Sequence, residues 1–128
     1  MQAPINILGV RANFGRSARV TSPEIFALAI KSRPLVRGHY FFLHVVKRND
    51  GEPSLGLIVP KRILKKATSR NSAKRVVREA FRHARHDLPK GDFIIRLKSA
   101  PAPASLTLLK NALRGDIERI LKKVSGTP

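Results

Sequence analysis

Apolar positions along the chain gather into runs whose spacing alternates between helical and extended. Ser22-Pro23-Glu24 combines a hydroxyl cap, a proline at the first helical position and an acid in the first turn. A short helix is predicted from there through Phe26 and Ile30, stopping before Arg33-Pro34. His39 to Lys47 (HYFFLHVVK) is rich in aromatic and β-branched residues and predicts a strand apolar on both faces. Asn49-Asp50-Gly51 signals a hairpin turn into a second strand over Ser54 to Val59, which Pro60 ends. Thr68 to His86 carries the strongest helical period, terminated by Leu88-Pro89-Lys90-Gly91. Asp92 to Lys98 predicts a third strand, and the Ala/Pro segment 100–104 is a connector. Ser105 to Val124 predicts a last helix, with Gly115 as its weak point.

This order of helix, strands, helix, strand, helix predicts an α/β (α+β) fold, a single compact two-layer domain with helices packed on one sheet. The domain is expected over residues 19–124, without internal repeat or boundary, as suits a chain of 128 residues. Residues 1–18 lack a clear period and any acid but hold Arg11 and Arg16; they read as a flexible basic arm. Residues 125–128 form a short C-terminal tail.

Charge changes the picture. Lys and Arg number 26 against 8 Asp and Glu, a formal net charge of +18, while 42% hydrophobic content suits a folded domain. A folded polycation of this strength repels itself, so a polyanionic partner is expected. Placing residues at about 100° each on the long helix sets Ala73, Val76, Val77, Ala80, Phe81 and Ala84 on one arc. Arg70, Asn71, Lys74, Arg75, Arg78, Arg82 and Arg85 fall on the other side, with Glu79 at its edge. Solvated helix faces ordinarily mix signs, and stacked like charges cost helix stability unless a polyanion lies against them. Arginine suits phosphate because its planar fork donates two parallel hydrogen bonds. Lys61, Arg62, Lys65 and Lys66 extend the array upstream, so residues 61–85 hold ten Lys or Arg and one acid. Arg19, Arg33 and Arg37 flank the first helix, and Arg96 and Lys98 lie on the third strand.

The aromatic residues are Phe14, Phe26, Tyr40, Phe41, Phe42, Phe81 and Phe93. Phe81 lies on the apolar arc and is expected in the core. Phe26 and one of Tyr40 or Phe42 could stand at a sheet surface and stack unpaired bases. For Phe26 the core and stacking readings both stay open.

A catalytic apparatus is not evident. The acids Glu24, Asp50, Glu52, Glu79, Asp87, Asp92, Asp116 and Glu118 are scattered, whereas a two-metal nuclease needs converging carboxylates. His83 and His86 could form an acid–base pair or half a metal site, or simply sit at a helix C-terminus where positive charge is favourable. The chain has no cysteine, which excludes disulfides, thiol catalysis and Cys-ligated zinc. No apolar run reaches the roughly 18 residues of a membrane span. The N-terminus shows no basic segment followed by an apolar stretch, so a cytoplasmic location is expected.

The run Arg70-Asn71-Ser72-Ala73-Lys74-Arg75-Val76-Val77-Arg78-Glu79-Ala80-Phe81-Arg82 resembles the signature of the bacterial ribonuclease P protein subunit. In that family it sits on a helix following a strand that ends in a basic pair, here Gly56-Leu57-Ile58-Val59-Pro60-Lys61-Arg62. Ser22-Pro23-Glu24-Ile25-Phe26 is similar to the family's first helix and Asp92-Phe93-Ile94-Ile95 to its last strand. Two positions depart: Ser72 stands where the family usually has Arg, and Ile30 where it often has a second aromatic.

The resemblance implies the fold of that family, like the second domain of a small-subunit ribosomal protein, with an uncommon left-handed crossover. It implies binding of the catalytic ribonuclease P RNA and of the 5′ leader of precursor tRNA, in a complex that removes the leader hydrolytically. The protein would not act alone: the reaction would use Mg2+ held by the RNA, no protein residue would be catalytic or bind metal, and no protein partner or membrane would be needed. Arg70, Asn71, Lys74, Arg75, Arg78 and Arg82 would meet the RNA subunit. Phe26, Tyr40, Phe42, Lys61, Arg62 and Lys98 would line the leader groove. The competing readings are a structural ribosomal or other non-enzymatic RNA-binding protein, and a self-sufficient RNase built on His83 and His86.

Overall fold

The computed structural model describes residues 23–102 and 105–125. The basic arm over 1–18, Phe14, Arg19 and the Ser22 cap lie outside the described residues. The elements are α1 (Pro23–Lys31), β1 (Val36–Arg37), β2 (Phe41–Lys47), β3 (Ser54–Ile58), α2 (Ala67–Ala84), β4 (Gly91–Leu97) and α3 (Leu106–Val124), with a 3₁₀ turn over Arg85–Asp87 extending α2. Ser105 caps α3, its hydroxyl accepting from the Leu108 amide at 3.1 Å. Ser125 closes the same helix by donating to the Lys122 carbonyl at 3.0 Å.

The strands form one sheet in the order β1-β2-β4-β3. β4 runs antiparallel to β2, with Leu43 opposite Ile95, and parallel to β3, with Leu57 opposite Ile95. The hairpin predicted at Asn49-Asp50-Gly51 therefore does not form. Gly51 does adopt a turn conformation at φ 74°, but β4 lies between β2 and β3. Sheet order was decided by burial: nearly every residue of β4 is buried, so this strand takes a central position with neighbours on both sides. The connection from β2 to β3 must cross the start of β4, and Arg48 holds it there. Its buried guanidinium lies 3.6 Å from Asp92 on β4 and donates to the Glu52 carbonyl and, at 3.3 Å, to Ser54 Oγ on β3.

Alternation along the strands separates two apolar clusters. Phe41, Leu43, Leu55, Phe93, Ile95 and Leu97 meet the apolar faces of α2 and α3, forming the main core. Phe81 and Phe93 contact edge to face there, with ring centroids 5.8 Å apart. The arc predicted for α2 is the buried one: Ala73, Val76, Val77, Ala80 and Phe81 are all inside, and Ala84 is half-buried against the same cluster. Ile94 projects from the opposite face of β4 and packs with Ile25 and Ala29, so α1 lies across part of that second face. The sheet and the two long helices make the two layers, and among the described residues α1 covers part of the second face.

One carboxylate ties the last helix to the sheet. Asp116 is buried on α3, and its oxygens accept the backbone amides of His39, Tyr40 and Phe41 at 2.8, 2.9 and 3.1 Å. Arg119 donates to the same carboxylate at 2.7 Å. The charge is thus compensated where it is buried.

Candidate nucleic-acid interface

Because α2 buries its apolar arc against α3 and the sheet, its basic arc faces out. Asn71, Arg75, Arg78 and Arg82 are exposed, and Lys74 and Arg70 are half-buried. The helix opens at Lys66 without a side-chain cap and with no acid in its first turn, so positive charge and the helix dipole add rather than cancel there. Arg70 does two things. Its Nη1 donates to the carbonyls of Leu64 and Lys65 at 2.9 Å each, which ties the preceding loop to the helix while the residue stays at the surface. Arg82 pairs with Glu79, and both remain more than half exposed, so this pair leaves the guanidinium accessible. The Arg82 contact holds the Glu79 carboxyl below the usual carboxylate range, aided by the charges of His83 and Arg114. Arg85 instead serves the loop, bonding the Pro53 carbonyl at 3.1 Å and lying 3.5 Å from Glu52.

A second basic locus stands on the sheet face opposite the main core. The cross-strand register sets Phe42 opposite Arg96 on one side and Arg37 on the other. The cations of Lys98, Arg96 and Arg37 lie 4.6, 5.0 and 5.8 Å from the Phe42 ring centroid. Three positive charges thus surround one half-buried ring, with no acid among them, and the electron-rich ring face attracts them. Ile58 pairs with Arg96 in the parallel register, so the exposed Lys61 and Arg62 that follow β3 leave from this same end of the sheet. The loop they open leads directly into α2.

Phe26 is half-buried, and its ring lies over Gly56 of β3: a β-carbon there would stand 2.8 Å from Phe26 Cζ. Glycine is what lets the ring settle onto the strand. Part of Phe26 packs on the second cluster and the rest meets solvent. Ile30, four residues on, is 45% exposed and shows solvent an aliphatic chain.

Tyr40 belongs elsewhere. It precedes β2, and its half-buried ring packs against the main core rather than beside Phe42. Of the two candidates for this sheet face, the structure brings Phe42 to it and not Tyr40. Arg37 and Arg96 join Phe42 at this face though the residue pattern gave them no role; Arg96 could have been noticed as a lone cation in the apolar run of β4. His83 and His86 are both exposed at the end of α2. Among the described residues, no three His, Asp or Glu side chains stand together in a way that could hold a metal ion. No described helix is long and apolar enough to cross a membrane.

Comparison with known proteins addresses the whole chain. The family model described as Ribonuclease P matches residues 14–124. The chain is 40% identical over 119 residues to the ribonuclease P protein component of Bordetella petrii, a match covering 89% of this chain and 97% of that protein. Its fold is similar to the RNase P protein of Staphylococcus aureus, with a TM-score of 0.68 at 20% identity, covering 84% of this chain and 97% of that one. It is also similar to that of Thermotoga maritima, with a TM-score of 0.63 at 28% identity, covering 84% and 98%. The sequence match runs through the first helix, the sheet and the basic helix in order, and on it the chain belongs to the ribonuclease P protein component family.

Proposed function

We propose that this chain is the protein subunit of a ribonuclease P, binding the catalytic RNA through the exposed arc of α2 and the 5′ leader of precursor tRNA across the sheet face opposite the main core. The observation that carries the reading is the pair of basic loci, one along the exposed arc of α2 and one gathered around the Phe42 ring. Arg75, Arg78 and Arg82 offer guanidinium forks to a phosphate backbone, with Asn71 and Lys74 beside them. Phe26 and Phe42 offer ring faces, while Lys61, Arg62 and Lys98 draw in the strand between them. The magnesium required for hydrolysis would be held by the RNA and would supply the activated water and charge stabilisation. The protein's own residues bind and align the leader, and none donates or accepts a proton in the reaction. A soluble, cytoplasmic ribonucleoprotein is the setting this implies.

The test is cleavage of precursor tRNA by RNA subunit alone, protein alone, and both, at low magnesium. The combination is expected to cleave and the protein alone to be inert. Cleavage by RNA-free protein would restore the histidine-based RNase, and no stimulation of the RNA would restore the structural RNA-binding reading.

A further inference from the structure

At the sheet edge, α3 lies against the two-residue strand β1, and between them opens a cleft of about 270 Å³. Its polar lining is Arg37, His39, Arg119 and Lys123, over a floor of Gly38 and Ile120. The adjacent acid is Asp116. It is buried, already accepts three backbone amides, and neutralises Arg119 alone. The cleft therefore keeps an excess of positive charge from Arg37 and Lys123. The bond to Asp116 also fixes the half-exposed Arg119 guanidinium in place before any ligand arrives, so little ordering is left for binding to do.

Arg37 belongs to two sites at once. Its guanidinium stands 5.8 Å from the Phe42 centroid on the sheet face, and the same residue lines the cleft around the edge. A strand stacked on Phe42 meets Arg37 next and the cleft after it. We infer that the single-stranded leader continues over the β1 edge and seats a phosphate in the cleft between Arg37, Arg119 and Lys123. This rests on the leader reading given above. A duplex could not follow the path, because a base must be unpaired to stack on Phe42 and the route bends from a sheet face onto a helix flank within one strand width.

The test uses the chain assembled with its RNA subunit, and precursor tRNAs carrying leaders of about four and about twelve nucleotides, the range one strand-binding surface spans. Lys123→Ala, at an exposed position, is expected to weaken binding of the long-leader substrate about fivefold at 0.1 M salt and to lower its salt slope by about 0.7, the loss of one single-strand phosphate contact. Lys123→Glu should weaken it further. Affinity for the short-leader substrate and for the RNA subunit should stay unchanged, as should the melting temperature. Phe42→Ala runs in parallel. If it leaves long-leader affinity unchanged, the leader-groove reading itself fails. If it weakens that affinity while both Lys123 variants do nothing, only the extension over the edge is overturned. Equal weakening of both leader lengths, or weaker RNA-subunit binding, would assign the cleft to structured RNA instead and overturn the inference.

Discussion

Gly38 and Asp116 approach so closely that a β-carbon on Gly38 would stand 2.7 Å from the Asp116 carboxylate. The missing side chain is what admits the carboxylate to the three amides of residues 39–41. In this way the final helix is clasped to the turn that begins β2.

Asp116→Ala should cost about 3–5 kcal/mol in urea unfolding, because three amides and Arg119 lose a buried acceptor together. Asp116→Asn keeps one acceptor oxygen but turns an NH2 group toward amide donors, and should recover less than half of the loss. Gly38→Ala should destabilise comparably by pushing on Asp116 and Ile120. Wild-type stability in Asp116→Ala would show that the clasp contributes nothing.

The two arcs of α2 should separate binding from folding. Arg75→Ala should weaken RNA-subunit affinity and lower the salt slope by about one, with the melting curve unmoved. Phe81→Ala should cost roughly 3–5 kcal/mol of stability. Arg70→Ala should do some of each, since its guanidinium also holds the Leu64 and Lys65 carbonyls. Binding isotherms at several salt concentrations, alongside melting curves, decide the matter; a melting loss in Arg75→Ala would reverse the orientation.

Phe26 and Gly56 should be coupled. Phe26→Ala should cost about 1–3 kcal/mol of binding for precursor tRNA and leave mature tRNA almost unaffected. Gly56→Ala, by displacing the Phe26 ring, should lose leader affinity too, and the double variant should lose less than the sum of the singles. Equal losses for precursor and mature tRNA, with a lowered melting point, would make Phe26 a core residue only.

Stability should fall on mild acidification through His44. The imidazole is buried, its Nδ1 is 3.4 Å from Ser32 Oγ, and its Nε2 has no hydrogen-bond partner. Burial, with a smaller contribution from the Arg96 charge, holds its pKa below the ordinary 6.5. The unfolded chain thus takes up a proton at higher pH than the folded one. The stability is present above 6.5 and is lost as pH falls from there toward the folded value, at up to about 1.4 kcal/mol per pH unit. Urea midpoints between about pH 7.5 and 5 should fall in the wild type and flatten in His44→Gln. Identical slopes would remove His44 from this role.

The basic arc of α2 was legible because like charges at helical spacing are visible in one dimension. The cluster at Phe42 was legible in part, through Phe42 and Lys98; Arg37 and Arg96 reach the ring through strand register, which distant segments decide together. The same holds for sheet order: Asn49-Asp50-Gly51 is a local turn signal, and local chemistry is silent about a strand inserted from forty residues away. β1, only two residues long, carries no propensity of its own. Asp116 did leave a trace, as an acid on the apolar arc formed by Leu109, Leu113, Ile117 and Ile120. An acid in that place is read as an error of pattern until a carbonyl-poor, amide-rich partner is found for it.

The central place of β4 has a bearing on synthesis. β2 and β3 do not pair with each other, so until residues 91–97 are made β3 has no strand partner and β2 has the two-residue β1 alone. The polycationic segment 61–85 thus emerges before the strand that seats it. A nascent chain in that condition lacks its completed sheet while already presenting a strongly basic segment to any polyanion nearby. Completion of the sheet, and with it the seat of α2, therefore waits on the synthesis of β4.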